Sequence, residues 1–219
     1  MRFNVYVDGL NLYYGALRGQ PYRWLNLRRF AESLVRSSDE VHRIRYFTAP
    51  VRPLTSDPEA PERQAAYLRA LRSVQGLELH YGQFLVSERS MPRADGTGTV
   101  RVIRSEEKGS DVNLATYLLL DVFDGDCEAA LVISNDSDLA EPIRVVGARF
   151  DRPVGVVFPI LNRTSNGRRR PPSNTLRQVA AFQRFITAAP KRRRLLAACQ
   201  FPGTLTDARG SFTRPPEWA

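Results

Sequence analysis

The 219-residue sequence predicts an α/β protein: a central parallel sheet covered by helices on both faces. Three observations carry this expectation. Short β-branched, apolar runs alternate along the chain with longer segments of helical periodicity. The runs FNVYVD (3–8), EAALVIS (128–134) and PVGVVF (153–158) are almost continuously apolar, as strands buried on both faces are. A hydrophobic content of 42% over this length supports one sizeable core and a short appendage, not a second full domain.

The elements follow in order. Residues 3–8 predict a strand, and NLYYGALRG a helix that starts near Asn11. A helix over 26–37 has Asn26 as its N-cap. VHRIRYFTA (41–49) is β-branched and aromatic enough for a strand, and residues 59–74 follow Pro58 as a helix. Residues 77–86 read as extended, with Gly82 as a break. SERSMPRADGTGT reads as a polar loop before a strand-like VRVIR. GSDVNLATYLLLDVF (109–123) is the clearest helix and 128–134 the clearest buried strand. A helix from about Ser137 to Val146, a strand at 153–158 and a last helix over 174–187 complete the series. The segment from about Ala189, with KRRR, FPGT and TRPPEW, reads as flexible or loosely docked.

Charge is distributed unevenly. The net charge is +9, yet residues 141–219 hold 15 Lys and Arg against 4 Asp and Glu, a surplus of 11, so the rest of the chain is slightly acidic. A basic segment on a near-neutral body suggests a polyanionic partner, with nucleic acid ahead of an anionic membrane surface. An Arg-rich compositional bias also contributes, since Lys108 and Lys191 are the only lysines. Two cysteines, Cys127 and Cys199, far apart and outside any C-x-x-C pair, exclude a zinc ribbon and a disulfide framework. Two histidines, His42 and His80, exclude a His-rich metal site. The N-terminus MRFNVYVDGLN has no signal-peptide apolar region, and no apolar run approaches a membrane span. The expectation is a cytoplasmic protein with no organic cofactor; a homodimer is compatible with the sequence.

The chemistry points to aspartates. In a parallel sheet ligands bind beyond the carboxyl ends of the strands. Asp8 ends the first strand, and Asp136 and Asp138 follow directly after strand 128–134, so all three should open onto one edge. Asp111 lies in the first turn of helix 109–123, on a stripe with Ala115, Leu118 and Val122 that packs on the sheet. Taken singly it is also explained as a helix-terminal charge. Like charges about 4 Å apart repel by roughly 4 kcal/mol at an effective dielectric of 20, so a gathered set needs a counter-charge or raised pKa values. Oxygen ligands without Cys or His favour Mg²⁺ or Mn²⁺.

VYVDGLNLYYG (5–15), EKGSDVNLATYLLLD (107–121) and LVISNDSDLAEPI (131–143), in this order and spacing, resemble the NYN domain family of the PIN-like nuclease superfamily. The resemblance covers roughly residues 1–160; residues 161–219 then form a basic loop, terminal helix and tail. It implies a PIN-like three-layer sandwich and Mg²⁺- or Mn²⁺-dependent endonucleolytic cleavage of RNA, leaving 5′-phosphate and 3′-hydroxyl ends. Asp8, Asp111, Asp136 and Asp138 match the family's acidic positions. Asn11 matches the Asn after the first Asp, where its amide would hold Asp8 or a water, or simply cap the helix. Lys108 precedes the second Asp, where it would meet a phosphate or form an exposed ion pair. Asn135 stands where many relatives carry Gly.

The loop after strand 153–158 leaves from the same edge as Asp8, because parallel strands share direction. Its Arg163, Arg168, Arg169 and Arg170 are expected to flank the acidic site and grip phosphates, with Arg52 a further candidate and Lys191 to Arg194 an extension of the grip. Tyr13 and Tyr14 are candidates for stacking on bases, although adjacent residues cannot both face the core. The alternatives are a catalytically silent RNA-binding module and a haloacid-dehalogenase-like phosphatase. Leu10 stands against the second, because that chemistry needs another Asp there. No G-x-G-x-x-G follows the first strand, which disfavours a dinucleotide-binding protein.

Overall fold

The structure, a computed structural model, describes all residues except 54, 56, 165 and 219. Its centre is a six-stranded, wholly parallel sheet. The strands are β1 (Arg2–Asp8), β2 (Glu40–Thr48), β3 (Leu77–Tyr81), β6 (Ala129–Ile133), β7 (Val154–Pro159) and β8 (Phe182–Ile186), in the order β3-β2-β1-β6-β7-β8. The chain therefore builds outward from β1 in one direction and then returns to build outward in the other. The reversal lies between β1 and β6, and the crevice at such a switch point is where ligands bind.

The period-two alternation of β1 assigns its residues to two layers. Phe3, Val5 and Val7 face a core shared with α1 (Gly9–Leu12), α2 (Leu27–Glu32) and α3 (Ala60–Arg72). Tyr6 faces a second core against α4 (Ser110–Phe123), α5 (Ala140–Phe150) and α6 (Asn174–Val179). Asp8, in phase with Tyr6, belongs to the α4 side. On β6 the same rule sends Ala130 and Val132, and hence Ser134 just beyond the strand, to that side as well.

Several expectations are corrected. The first part of the stretch read as a polar loop, residues 87–92, continues a strand: β4 (Gln83–Pro92) pairs antiparallel with β5 (Thr99–Lys108), which contains the strand expected at VRVIR, to form a long ribbon. It turns through Gly96 and Gly98, both at positive φ. Its side chains are mostly exposed, so no burial pattern announces it. The helix expected over 174–187 stops at Val179, and Phe182–Ile186 pairs with β7 instead. Gly155 makes that pairing feasible: a Cβ there would lie 2.2 Å from the Phe182 ring. The sheet thus continues past residue 160, where the sequence placed the edge of the nuclease domain. Asn26 caps α2 through Arg28 and Arg29 as expected, but that helix ends at Glu32, short of residue 37.

The last segment is docked. It forms α7 (Pro190–Ala198), then a hairpin of β9 (Thr204–Asp207) and β10 (Gly210–Thr213). Phe201 and Trp218 are buried against Trp24, whose Nε1 donates to the carbonyl of Pro202 at 2.8 Å. Aromatic packing and the Arg69–Asp207 ion pair at 2.6 Å hold what polar composition alone suggested was loose. Among the described residues no helix is long and apolar enough to cross a membrane.

Candidate active site

β1 ends at the switch point with Asp8, only 5% exposed. One oxygen caps α1 by accepting the Asn11 backbone N–H at 2.9 Å; the other accepts the Ser134 hydroxyl at 2.8 Å. The same Ser134 oxygen accepts the backbone N–H of Asp136 at 3.0 Å, so a buried hydroxyl ties the end of β1 to the loop after β6. Asp136 in turn caps a short 3₁₀ turn, Ser137–Leu139, by accepting the Asp138 N–H at 3.1 Å. These bonds fix the carboxylates in place without neutralising them.

Asp111 approaches from α4. Gly109, at φ 97°, redirects the chain out of β5, and Glu107 caps the new helix by accepting the N–H and the hydroxyl of Ser110. The buried stripe of α4 is Ser110, Leu114, Leu118, Asp121 and Val122. Leu118 and Val122 lie on it as expected, but its first half runs through Ser110 and Leu114, and Asp111 and Ala115 lie beside it, half-buried.

Asp8, Asn11, Glu107, Ser110, Asp111 and Asp136 line one open cavity of about 440 Å³, joined by Tyr14, Phe84, Ser105 and Arg170. Burial, reinforced by the charges of Asp111 and Asp136, pushes the Asp8 carboxyl up to about 7, against the opposing effect of its two hydrogen bonds. Burial and then the charges of Asp136, Glu107 and Asp138 push Asp111 up to about 6. The cavity therefore holds more negative charge than its own cations offset.

Not every expected residue converges. Asp138 is exposed and does not line the cavity, although Asp111 feels its charge. The Asn11 amide does not hold Asp8; its oxygen accepts the Asn135 N–H at 3.1 Å, while the backbone of Asn11 makes the contact to Asp8. Lys108 forms an ion pair with Glu106 at 3.2 Å and lies outside the cavity. Of the loop arginines only Arg170 reaches it, and its Nε is buried with no hydrogen-bond partner among the described residues. Arg163 and Arg169 bridge each other across the loop, Arg163 donates to the Gly167 carbonyl, and the Arg168 carbonyl receives Thr164. Arg52 lines a neighbouring cavity instead. Tyr13 is half-buried against the core and Tyr14 is 46% exposed, dividing the roles of the adjacent pair.

The roles of two residues went unread in the sequence. Ser134 looked like the end of a strand; its signal was the small hydroxyl in phase with Asp8. Asn135 donates to the Pro171 carbonyl at 3.0 Å and accepts the Ser173 N–H at 2.7 Å. It thereby ties the loop that carries Arg170 to the acidic edge.

Among the described residues no three His, Cys, Asp or Glu side chains are gathered tightly enough to cage a metal ion alone. The donor set is nonetheless all oxygen, with Asp8, Asp111 and Asp136 lining one cavity in which Arg170 is the one cation among the described lining residues. That fits a hard divalent cation, which typically keeps several waters and takes one or two carboxylates directly.

A central parallel sheet flanked by helices, with an acidic pocket at its switch point, is the architecture of a PIN-like α/β fold. The NYN domain family model matches residues 2–186, and the chain belongs to that family. The match includes β8 and so extends beyond the 160 residues that the motifs suggested. A relative from Pseudomonas putida, named 6-hydroxy-3-succinoylpyridine 3-monooxygenase, is 29% identical over 245 residues, covering 100% of this chain and 75% of that protein. A crystal structure of a protein of unknown function from Vibrio parahaemolyticus superposes with a TM-score of 0.51 at 19% identity, covering 84% of this chain and 92% of that one. At that identity the likeness concerns the fold alone.

Proposed function

We propose that the protein is a metal-dependent endoribonuclease. The observation that carries this reading is the convergence of Asp8, Asp111 and Asp136 in one open cavity that also receives Arg170. One or two of these carboxylates would bind Mg²⁺ or Mn²⁺ directly, and the others through its water ligands. A bound divalent ion supplies the positive charge that the pocket lacks and draws the anionic phosphodiester to it. Arg170, whose side chain lines the cavity, would donate to a phosphate oxygen. Ligating carboxylates must be deprotonated, so a bound ion would hold Asp8 and Asp111 in their anionic form near neutral pH. Ser134 and the Asn11 N–H would hold Asp8 in position to ligate it. Asp138 contributes charge from outside.

The test is a panel of single-stranded RNA, structured RNA and DNA incubated with Mn²⁺, Mg²⁺ or EDTA. Cleavage of RNA that requires the ion and falls at least about 10²-fold in Asp8→Ala and Asp111→Ala is the expected result. Retained cleavage in both variants, with the fold intact by circular dichroism, removes the assignment.

A second reading, a hydroxylase acting on a small aromatic acid, has one observation beyond the name of the Pseudomonas relative. A cavity walled by tyrosines and carrying guanidinium groups adjoins the acidic one. That reading leaves the carboxylates without a task, so the nuclease reading is preferred.

A further inference from the structure

The second cavity, of about 220 Å³, lies beneath the π-helical turn Tyr13–Leu17, against the end of β2 and the face of α3, with Trp218 closing one side. Its walls include Tyr13, Tyr14, Tyr46, Tyr67 and Trp218. Such a space is below the roughly 300 Å³ at which drug-sized sites begin, and suits one planar ring system. The hydroxyl of Tyr67 is already used on the Leu25 carbonyl, and the Gln64 amide on Val51 and Ala49, so these side chains serve as walls.

The cations divide into two kinds. Arg63 is engaged by Asp57 and Glu59, and Arg23 donates to the carbonyls of Gln20 and Glu217. Arg18 lies over the Tyr14 ring at 5.5 Å. The guanidinium groups of Arg18 and Arg52 have no carboxylate or hydrogen-bond acceptor among the described residues. A ligand that is flat and aromatic at one end and anionic at the other satisfies both features. Leu10 and Tyr14 line this cavity and the acidic one, so the thickness of a side chain separates the two.

We propose that this cavity is a base pocket: it receives the nucleobase of a nucleotide next to the phosphate held at the carboxylates, with Arg18 and Arg52 facing the adjoining phosphate. The proposal rests on the nuclease reading for its choice of ligand, but its test reads binding and requires no cleavage. Base stacking on aromatic side chains predicts a tenfold to hundredfold gain over the same phosphate without a base.

The experiment titrates the protein in the presence of Mg²⁺ by calorimetry with the four nucleoside 5′-monophosphates, with ribose 5-phosphate and with pyridine-3-carboxylate. The expected result is that at least one mononucleotide binds ten- to a hundredfold more tightly than ribose 5-phosphate. Ala60→Phe, which fills the cavity from the start of α3, abolishes that difference, and Arg52→Glu weakens binding about tenfold. Asp111→Asn, outside this cavity, leaves the preference for the base in place. Equal binding of ribose 5-phosphate and all mononucleotides overturns the proposal, as does no measurable binding. So does tighter binding of pyridine-3-carboxylate than of any nucleotide, which would move the cavity to a small aromatic acid. Should Ala60→Phe fail to fold, unchanged mononucleotide affinity in Arg52→Glu overturns the proposal equally. If mononucleotides bind as expected while RNA is never cut, the base pocket stands and the hydrolytic reading falls.

Discussion

β1 and α4 each contribute to two groups of carboxylates, and the two groups are built on opposite principles. Toward the start of β1, Asn4 and Tyr6 meet Asp121, near the end of α4. Arg45 grips both oxygens of Asp121 at 2.7 Å, and its guanidinium lies 4.4 Å from the Tyr117 ring. Arg43 and Asn4 hold Asp126, and both arginines also reach Glu78. Burial pushes the Asp126 carboxyl up, but its bonds to Asn4 and Arg43 outweigh this and leave it below the usual range. At the other end of the same strand and helix stand Asp8 and Asp111, about 15 Å along α4 from Asp121 at 1.5 Å per residue. There an N–H and a hydroxyl hold Asp8, and among the described residues no guanidinium bonds to it. The first group is neutralised internally; the second, at the candidate site, is left without such compensation. That difference separates a structural ion network from a candidate site more sharply than burial does, since Asp8 and Asp121 are equally buried at 5%.

The largest effect expected comes from breaking the compensated group. Arg45→Met strands Asp121 in the core and should cost about 3–5 kcal/mol in equilibrium urea unfolding. A loss under 1 kcal/mol would mean that the network is not what holds the sheet to α4.

The uncompensated group gives the opposite sign with pH. Asp8 and Asp111 have folded pKa values raised above their unfolded ones, so the folded state binds more protons than the unfolded state between about pH 4 and pH 7. Their contribution to stability is full below that window and is lost as pH rises through it, at up to about 1.4 kcal/mol per pH unit for each group. Asp126, with its lowered value, works the other way and loses its contribution only as the pH falls below about 4. In EDTA Asp8 and Asp111 should lower stability from pH 5 to pH 7, against the opposing contribution of His80, whose burial lowers its pKa, and Asp8→Asn should make the slope with pH less negative. An unchanged slope in Asp8→Asn would deny Asp8 its raised pKa.

Ser134→Ala probes the hydroxyl that joins the two acidic strand ends. Removing its bond should cost roughly 1–2 kcal/mol and move the Asp8 titration, followed by carbon-13 NMR of the carboxyl, further up. The smallest effect is expected at Arg170. If it meets one phosphate, Arg170→Ala lowers the salt slope of RNA binding by about one, while Arg168→Ala leaves the slope unchanged. Equal effects of the two substitutions would contradict the distinction between them.

The parts of the molecule that were legible are those whose pattern follows burial. β1, β6 and β7 are apolar runs because both of their faces are covered, and Asp8 and Asp136 stand out as charges directly after such runs. The misread parts are those whose formation depends on partners distant in sequence or on backbone pairing alone. FQRFI joins the sheet because β7 offers an edge with Gly155 opposite Phe182, which no local periodicity reveals. The β4–β5 ribbon pairs only with itself among the described strands and so needs no apolar face. The basic loop misled in another way. Strand direction and charge together placed four arginines at the acidic edge, but backbone and side-chain bonds within the loop and to Asn135 leave only Arg170 of them in the cavity.

The ribbon also separates reach from chemistry. Only its two roots, through Phe84, Ser105 and Glu107, form a wall of the acidic cavity; its turn at Arg93–Gly98 lies at the far end of ten paired positions. Because side chains alternate along a strand, adding or removing one residue on each strand near the tip lengthens or shortens the arm while the root register stays as it is. An unequal change would have to be absorbed as a bulge or would turn one strand over from that point toward the tip. The length of the arm is thus a variable that protein engineering can adjust in matched steps, altering how far the molecule extends over a long polymer without rebuilding the carboxylates at its base.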